Sequence, residues 1–118
     1  QLFGDGQQKR DFNYIDDVVD ALLRVAVSEK ANGKIYNLGE KKAYSLVEFV
    51  EVLQQYCEFD FEAVPFPEEK KKIDIGSYQG SYRKINKDVG WEPQVSLNEG
   101  LGKTVAFFEK YLTHYIGS

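Results

Sequence analysis

A chain of 118 residues, 42% apolar and 29% charged, is one domain's worth of ordinary globular sequence. Nineteen acidic against fifteen basic side chains give a net charge of -4, which argues against a general nucleic-acid binder with its basic face. Apolar runs of only a few residues exclude a membrane-spanning helix, and a single cysteine, Cys57, excludes an internal disulfide or a multi-thiolate metal site. No signal-peptide pattern opens the chain, which fits a cytoplasmic origin. The sequence holds no methionine and starts at Gln1, with Gln1-Leu2-Phe3 resembling the end of a strand. We therefore expect residues upstream, against the alternative of a processed, self-contained domain.

Gly4-Asp5-Gly6 reads as a tight turn, since Gly and Asp-Gly pairs tolerate positive φ. Arg10–Ile15 follows as a short strand or extended entry segment. Asp16 or Asp17 is expected to cap the next helix, whose apolar face is Val18, Val19, Leu22, Leu23 and Ala26 at spacings of three and four. Gly33 supplies its left-handed end. Lys34–Leu38 reads as a strand closed by Gly39. Ser45-Leu46-Val47-Glu48 is a capping box opening a helix with Leu46, Phe49, Val50, Leu53 and Tyr56 or Cys57 buried.

Phe59–Val64 alternates as a half-buried strand stopped by Pro65 and Pro67. Glu68–Lys72 is a mixed charge run expected as a solvated loop. Ser81 is expected to cap a short helix ending at Gly90. Ser96-Leu97-Asn98-Glu99 is a second capping box. It opens the longest helix, with Leu97, Leu101, Val105, Phe108, Leu112 and Tyr115 on one face. The order predicts an α/β domain: a small sheet of two or three strands layered with three to four helices, over residues 1–118 as a single unit.

Little of the usual catalytic chemistry is present. His114 and Cys57 are the only residues of their kinds and far apart in sequence, so they read as a helix-surface histidine and a structural thiol. No Ser-His-Asp order has a flanking nucleophile motif, and metal-ligand spacing is absent. Gly4-Asp5-Gly6 meets Lys9 where a G-x-G-x-x-G loop needs glycine, and no Tyr is followed four residues later by Lys.

Five motifs nevertheless stand in order: Gly4-Asp5-Gly6-Gln7-Gln8-Lys9-Arg10-Asp11-Phe12, Tyr14-Ile15-Asp16-Asp17-Val18, Tyr36-Asn37-Leu38-Gly39, Gly90-Trp91-Glu92-Pro93 and Glu99-Gly100-Leu101. From Phe3 to about Tyr111 the chain resembles the C-terminal part of the extended short-chain dehydrogenase/reductases, the NAD(P)-dependent nucleotide-sugar epimerases and dehydratases. The resemblance implies a parent enzyme whose N-terminal Rossmann domain, absent from this chain, holds NAD or NADP and a Tyr-x-x-x-Lys pair. Such a parent oxidises a sugar carbon by hydride transfer to the nicotinamide, then returns the hydride after epimerisation or elimination. It implies that this chain carries part of the nucleotide-sugar site, no catalytic residue, and no activity alone.

Carried over position by position, the resemblance makes Arg10 the diphosphate contact. A guanidinium suits bidentate pairing with phosphate oxygens. The plainer alternative is an ion pair with Asp11 or another nearby acid. Phe12 matches a position beside the nucleotide, or is simply core. Leu46 matches an apolar position near the base, or is the first apolar residue of its helix. Asp11 and Asp17 match the pattern, with helix capping preferred for Asp17. Asn37 is read as bonding neighbouring backbone. Lys71 stands where many members have arginine, offering charge without the planar fork, or is a loop charge in solvent. Asp74 is a candidate for a ribose hydroxyl and Tyr78 for the wall beside it. Loss of the Rossmann half would expose apolar surface and favour self-association. The alternative from another class is a stand-alone, non-catalytic α/β module for ligand binding or protein interaction.

Overall fold

The computed structural model describes residues 1–116. It is a mixed α/β structure with two small sheets and, among the described residues, five α-helices. Strand β1 (Leu2–Phe3) pairs in parallel with β4 (Ala63–Val64). Strand β2 (Lys9–Arg10) pairs antiparallel with β3 (Tyr44–Ser45), with Lys9 opposite Ser45 and Arg10 opposite Tyr44. The helices are α1 (Ile15–Val27), α2 (Leu46–Leu53), α3 (Glu68–Lys71), α4 (Arg83–Val89) and α5 (Leu97–Tyr115). One 3-10 turn, Glu29–Ala31, follows α1.

The strands differ from those expected. Lys34–Leu38 forms no strand ladder, although Tyr36 and Leu38 turn inward in alternation. Side chains tether it instead. The Tyr36 hydroxyl donates to Asp88 at 2.7 Å and Lys34 Nζ reaches the same oxygen at 3.0 Å. Burial, then that hydrogen bond, pushes the Tyr36 phenol up to about 12. Only the last two residues of Phe59–Val64 enter a ladder, Ala63 opposite Leu2 and Val64 opposite Phe3, and the Gly4 turn at φ 73° ends β1 there. The charge run expected as a loop forms the single turn α3, with Glu68 and Glu69 in its first turn and Lys70 and Lys71 in its last, each suiting the helix dipole.

Three of the expected caps hold in whole or part. Ser45 Oγ accepts from the Glu48 N–H at 3.1 Å, and Glu48 accepts from the Ser45 N–H at 2.7 Å, completing the box. Those bonds hold the Glu48 carboxyl below the ordinary carboxylate range. Ser96 Oγ accepts from the Glu99 N–H at 3.3 Å, but the Glu99 carboxylate pairs with Lys103 at 2.8 Å, so this second box is half formed. Gly90 closes α4 in the left-handed region at φ 70°. Ser81 does not cap α4, whose N-cap position is Tyr82. Gly33 is left-handed at φ 69°, but α1 has already ended at Val27.

Helix α1 departs furthest from expectation. Neither aspartate caps it. Asp17 is buried and accepts from the Gln94 and Val95 N–H groups at 3.1 and 3.0 Å, while its carbonyl accepts from the Trp91 indole at 2.8 Å. The core cluster is Ala21, Ile85 and the fully buried Trp91, with Val25, Tyr36, Leu38, Tyr82 and Val89 packed around it. This turns the Asp17–Ala21 side of α1 inward. Of the face expected to be buried, Val19, Leu22 and Leu23 stand 44–64% exposed, Ala26 is exposed and Val18 is half-buried, and Ile15 beside them is exposed as well. Likewise α5 buries Leu97 and Gly100 in its first turns, whereas Phe108, Leu112 and Tyr115 are exposed. Apolar periodicity identifies a sticky face and leaves open what covers it.

Candidate functional site

The β2–β3 ribbon places Arg10 in the middle of a polar crossing. Its guanidinium donates to the Asp74 carboxylate and to the Lys9 carbonyl, each at 2.9 Å, and to the Gly76 carbonyl. The two charged side chains are about three-quarters buried. The ion pair expected from Arg10 thus forms with Asp74, 64 residues away, and Asp11 is engaged elsewhere. The loop from 74 to 80 is joined to β2 at the backbone as well. Lys9 N–H donates to Ser77 Oγ at 3.0 Å, and Tyr78 N–H donates to the Lys9 carbonyl at 2.9 Å.

Of the residues proposed from sequence, Arg10 and Asp74 are in direct contact. Tyr78 joins them through its backbone, and its ring is 47% exposed. Leu46 is half-buried at the head of α2, next to Ser45, the strand partner of Lys9. Lys71 ends α3 with its side chain exposed. Phe12 lies apart from this group. Its ring packs on Phe49 with centroids 4.6 Å apart and lines a cleft of about 240 Å³ with Leu97, Gly100 and Leu101. Both Asp74 oxygens are used within the chain, one by Arg10 and one by the Gly76 N–H at 3.3 Å. Asn37 is exposed.

Sequence reasoning missed the acceptors that hold Arg10 and the acid beside them. Nothing local links Arg10 to residues more than sixty positions later. Glu40 is 8% exposed, and its Oε1 accepts from the Lys41 N–H at 2.7 Å while Oε2 has no partner among the described residues. Burial pushes the Glu40 carboxyl above the ordinary carboxylate range, opposed by the Lys41 N–H and reinforced by the nearby Asp17 and Asp11 charges.

A folded pKa above the unfolded one means stability that is complete below the unfolded glutamate value and lost as pH rises through the folded value. Urea midpoints of the native chain should therefore fall from acidic to neutral pH by more than those of Glu40→Gln. Parallel profiles would contradict the burial of this carboxyl.

The Gly4–Gly6 turn leads into β2, not into the helix N-terminus that a dinucleotide loop requires. Among the described residues, no group of three His, Cys, Asp or Glu side chains is placed to hold a metal ion. Cys57 donates weakly to the Leu53 carbonyl at 3.5 Å just past α2, and His114 sits in the last turn of α5. No helix among the described residues is long and apolar enough to cross a membrane.

A mixed α/β domain with a half-buried arginine on a short ribbon, framed by a loop of acceptors, matches known proteins along nearly its whole length. The family described as GDP-mannose 4,6 dehydratase matches residues 1–104. UDP-glucuronic acid decarboxylase 1 of Xenopus tropicalis is 36% identical over 96% of this chain and 26% of its own. The dTDP-glucose 4,6-dehydratase of Streptomyces griseus is 32% identical over 93% of this chain and 33% of its own. The crystal structure of UDP-glucose 4-epimerase with UDP-glucose, from Thermotoga maritima, superimposes with a TM-score of 0.80 at 35% identity, over 94% of this chain and 35% of that one. Epimerases and dehydratases stand among these relatives, as the motif order implied, and a further one, the dTDP-glucose 4,6-dehydratase of Bacillus anthracis, was crystallised in complex with NAD and superimposes with a TM-score of 0.77 at 28% identity, over 97% of this chain and 35% of that one. The chain belongs to the GDP-mannose 4,6 dehydratase family. It spans about a quarter to a third of the length of the relatives it matches.

Proposed function

We propose that this chain is the nucleotide-sugar-binding portion of a cytoplasmic NAD(P)-dependent epimerase or dehydratase. The observation that carries the reading is Arg10, held by Asp74, Gly76 and Lys9 at the edge of the ribbon. A guanidinium fixed on one side is ready for diphosphate oxygens on the other, without first losing rotamer freedom. Leu46 and Tyr78 supply apolar surface beside it, and Lys71 adds a second positive charge. Asp74 serves the ligand either by a ribose contact or through its hold on Arg10. Phe12 supports the site from the α2–α5 side by packing on Phe49.

The cofactor and the hydride chemistry belong, in this reading, to another part of the protein that bears the Rossmann fold. The chain's own residues bind and orient the sugar nucleotide and move no proton. Support comes from the share of each relative that the chain matches, and from the exposed face of Ile15, Val19, Leu22 and Leu23. That face is apolar surface of the kind an adjoining domain covers, and in the isolated chain it favours self-association. Both observations favour the enzyme-derived reading over a stand-alone module.

Kinetics of the complete protein test the proposal. Losing a charge-assisted phosphate contact costs about 1.5–3 kcal/mol. Arg10→Ala should therefore raise KM for the nucleotide sugar on the order of 10- to 100-fold, with a smaller change in kcat. An unchanged KM would remove Arg10 from the site.

A further inference from the structure

Asp11 stands beside Arg10 in sequence, yet its carboxylate turns away from it. One oxygen, Oδ2, accepts from the Gly80 N–H at 2.8 Å and from the Glu40 N–H at 3.3 Å. Three segments meet at this point, and two of them cross backbone to backbone. A Cβ on Gly39 would lie 2.3 Å from the Gly80 carbonyl oxygen, and one on Gly80 would lie 2.5 Å from that of Leu38. Asn13 Nδ2 donates to the Gly39 carbonyl at 2.9 Å, and Gln79 Nε2 donates to that of Glu40 at 3.1 Å. The crossing is thus sewn from both sides and has no slack for a side chain.

Its consequence lies in the loop that leaves it. Residues 74 to 80 are fixed to β2 and the residue after it at three successive positions: Lys9 by its backbone, Arg10 by its guanidinium and Asp11 by its carboxylate. The Gly80 end is held at the junction, and the same loop presents the Asp74 and Gly76 acceptors to Arg10. We infer that Asp11 is a positioning residue for Arg10: by pinning Gly80 it sets the 74–80 loop, and the loop sets the guanidinium for diphosphate. The inference rests on Arg10 being the diphosphate contact.

The test is a binding series on the full chain with UDP-, dTDP-, GDP- and CDP-glucose, using the one that binds the native chain most tightly. Arg10→Ala should weaken binding at least tenfold. Asp11→Ala should weaken it by a similar factor, and the double variant should bind no more weakly than Arg10→Ala alone, as expected of residues acting through one group. Asp11→Asn keeps an acceptor oxygen and should stay within about threefold of native. A merely structural Asp11 would instead add its loss to that of Arg10→Ala, and that result overturns the inference. Native binding by Asp11→Ala with loss in Arg10→Ala overturns the inference alone. Native binding by Arg10→Ala, or no binding by the native chain, overturns the functional reading and the inference with it. Should Asp11→Ala fail to fold by circular dichroism, Ser77→Ala removes only the loop's bond to the Lys9 N–H. It should cost about fivefold in affinity on the inference, and native binding would overturn it.

Discussion

Trp91→Ala should abolish the folded state or leave it marginal. Trp91 is fully buried at the centre of the core, with Tyr82 edge-on at 6.0 Å and Ala21 and Ile85 beside it. Truncating such a residue costs about 3–5 kcal/mol through lost burial and the cavity left behind. Domains of this size hold about 5–15 kcal/mol in all. The indole N–H also leaves the Asp17 carbonyl unpaired when it goes. Urea denaturation followed by circular dichroism measures the loss, and a change below about 1 kcal/mol would contradict the placement of Trp91 as the core's centre.

Asp17→Ala should come next in severity, although Asp17 reads in the sequence as a replaceable helix cap. Its carboxylate serves the Gln94 and Val95 N–H groups, which hold the Gly90-Trp91-Glu92-Pro93 link against α1. Removing the acceptor strands two partly buried donors, at about 2–3 kcal/mol together. Both N–H groups meet the same oxygen, Oδ2, which Asp17→Asn can keep as its amide oxygen, so that variant should recover most of the loss. The same denaturation measurement decides the case. A surface-cap effect of about 0.5 kcal/mol would restore the capping reading.

These two residues mark where sequence reasoning stops. Ser45, Ser96 and Gly90 were legible because a cap is a local device, satisfied within three or four residues. Helix α2 and the start of α5 were legible for the same reason. Asp17 was misread because the local rule offered a role, while its real partners lie 77 and 78 positions later. Lys34–Leu38 shows the alternation of a strand without one to pair with. The apolar face of α1 was correctly seen as apolar and wrongly taken as buried, since periodicity carries no information about the opposing surface.

The site divides in the same way. The motifs single out Arg10, Leu46, Asp74 and Tyr78 one by one, and of these the fold joins Arg10 to Asp74 by side chain and Tyr78 to Lys9 by backbone. The way Asp74, Gly76 and Gly80 converge on Arg10 and Asp11 was not legible, because it depends on a loop closing across more than sixty residues. Glu40 gave no signal, since an acid before two lysines looks like surface until the fold buries it.

The central claim is that Arg10 and its loop form a seat for a nucleotide sugar. A two-dimensional NMR titration of the chain with UDP-, dTDP-, GDP- and CDP-sugars tests it most directly. Selective shifts at Arg10, Leu46, Lys71, Asp74 and Tyr78 are expected, largest for one base and lost in Arg10→Ala. Shifts scattered over the exposed α1 face, or none in this group up to millimolar ligand, would contradict it.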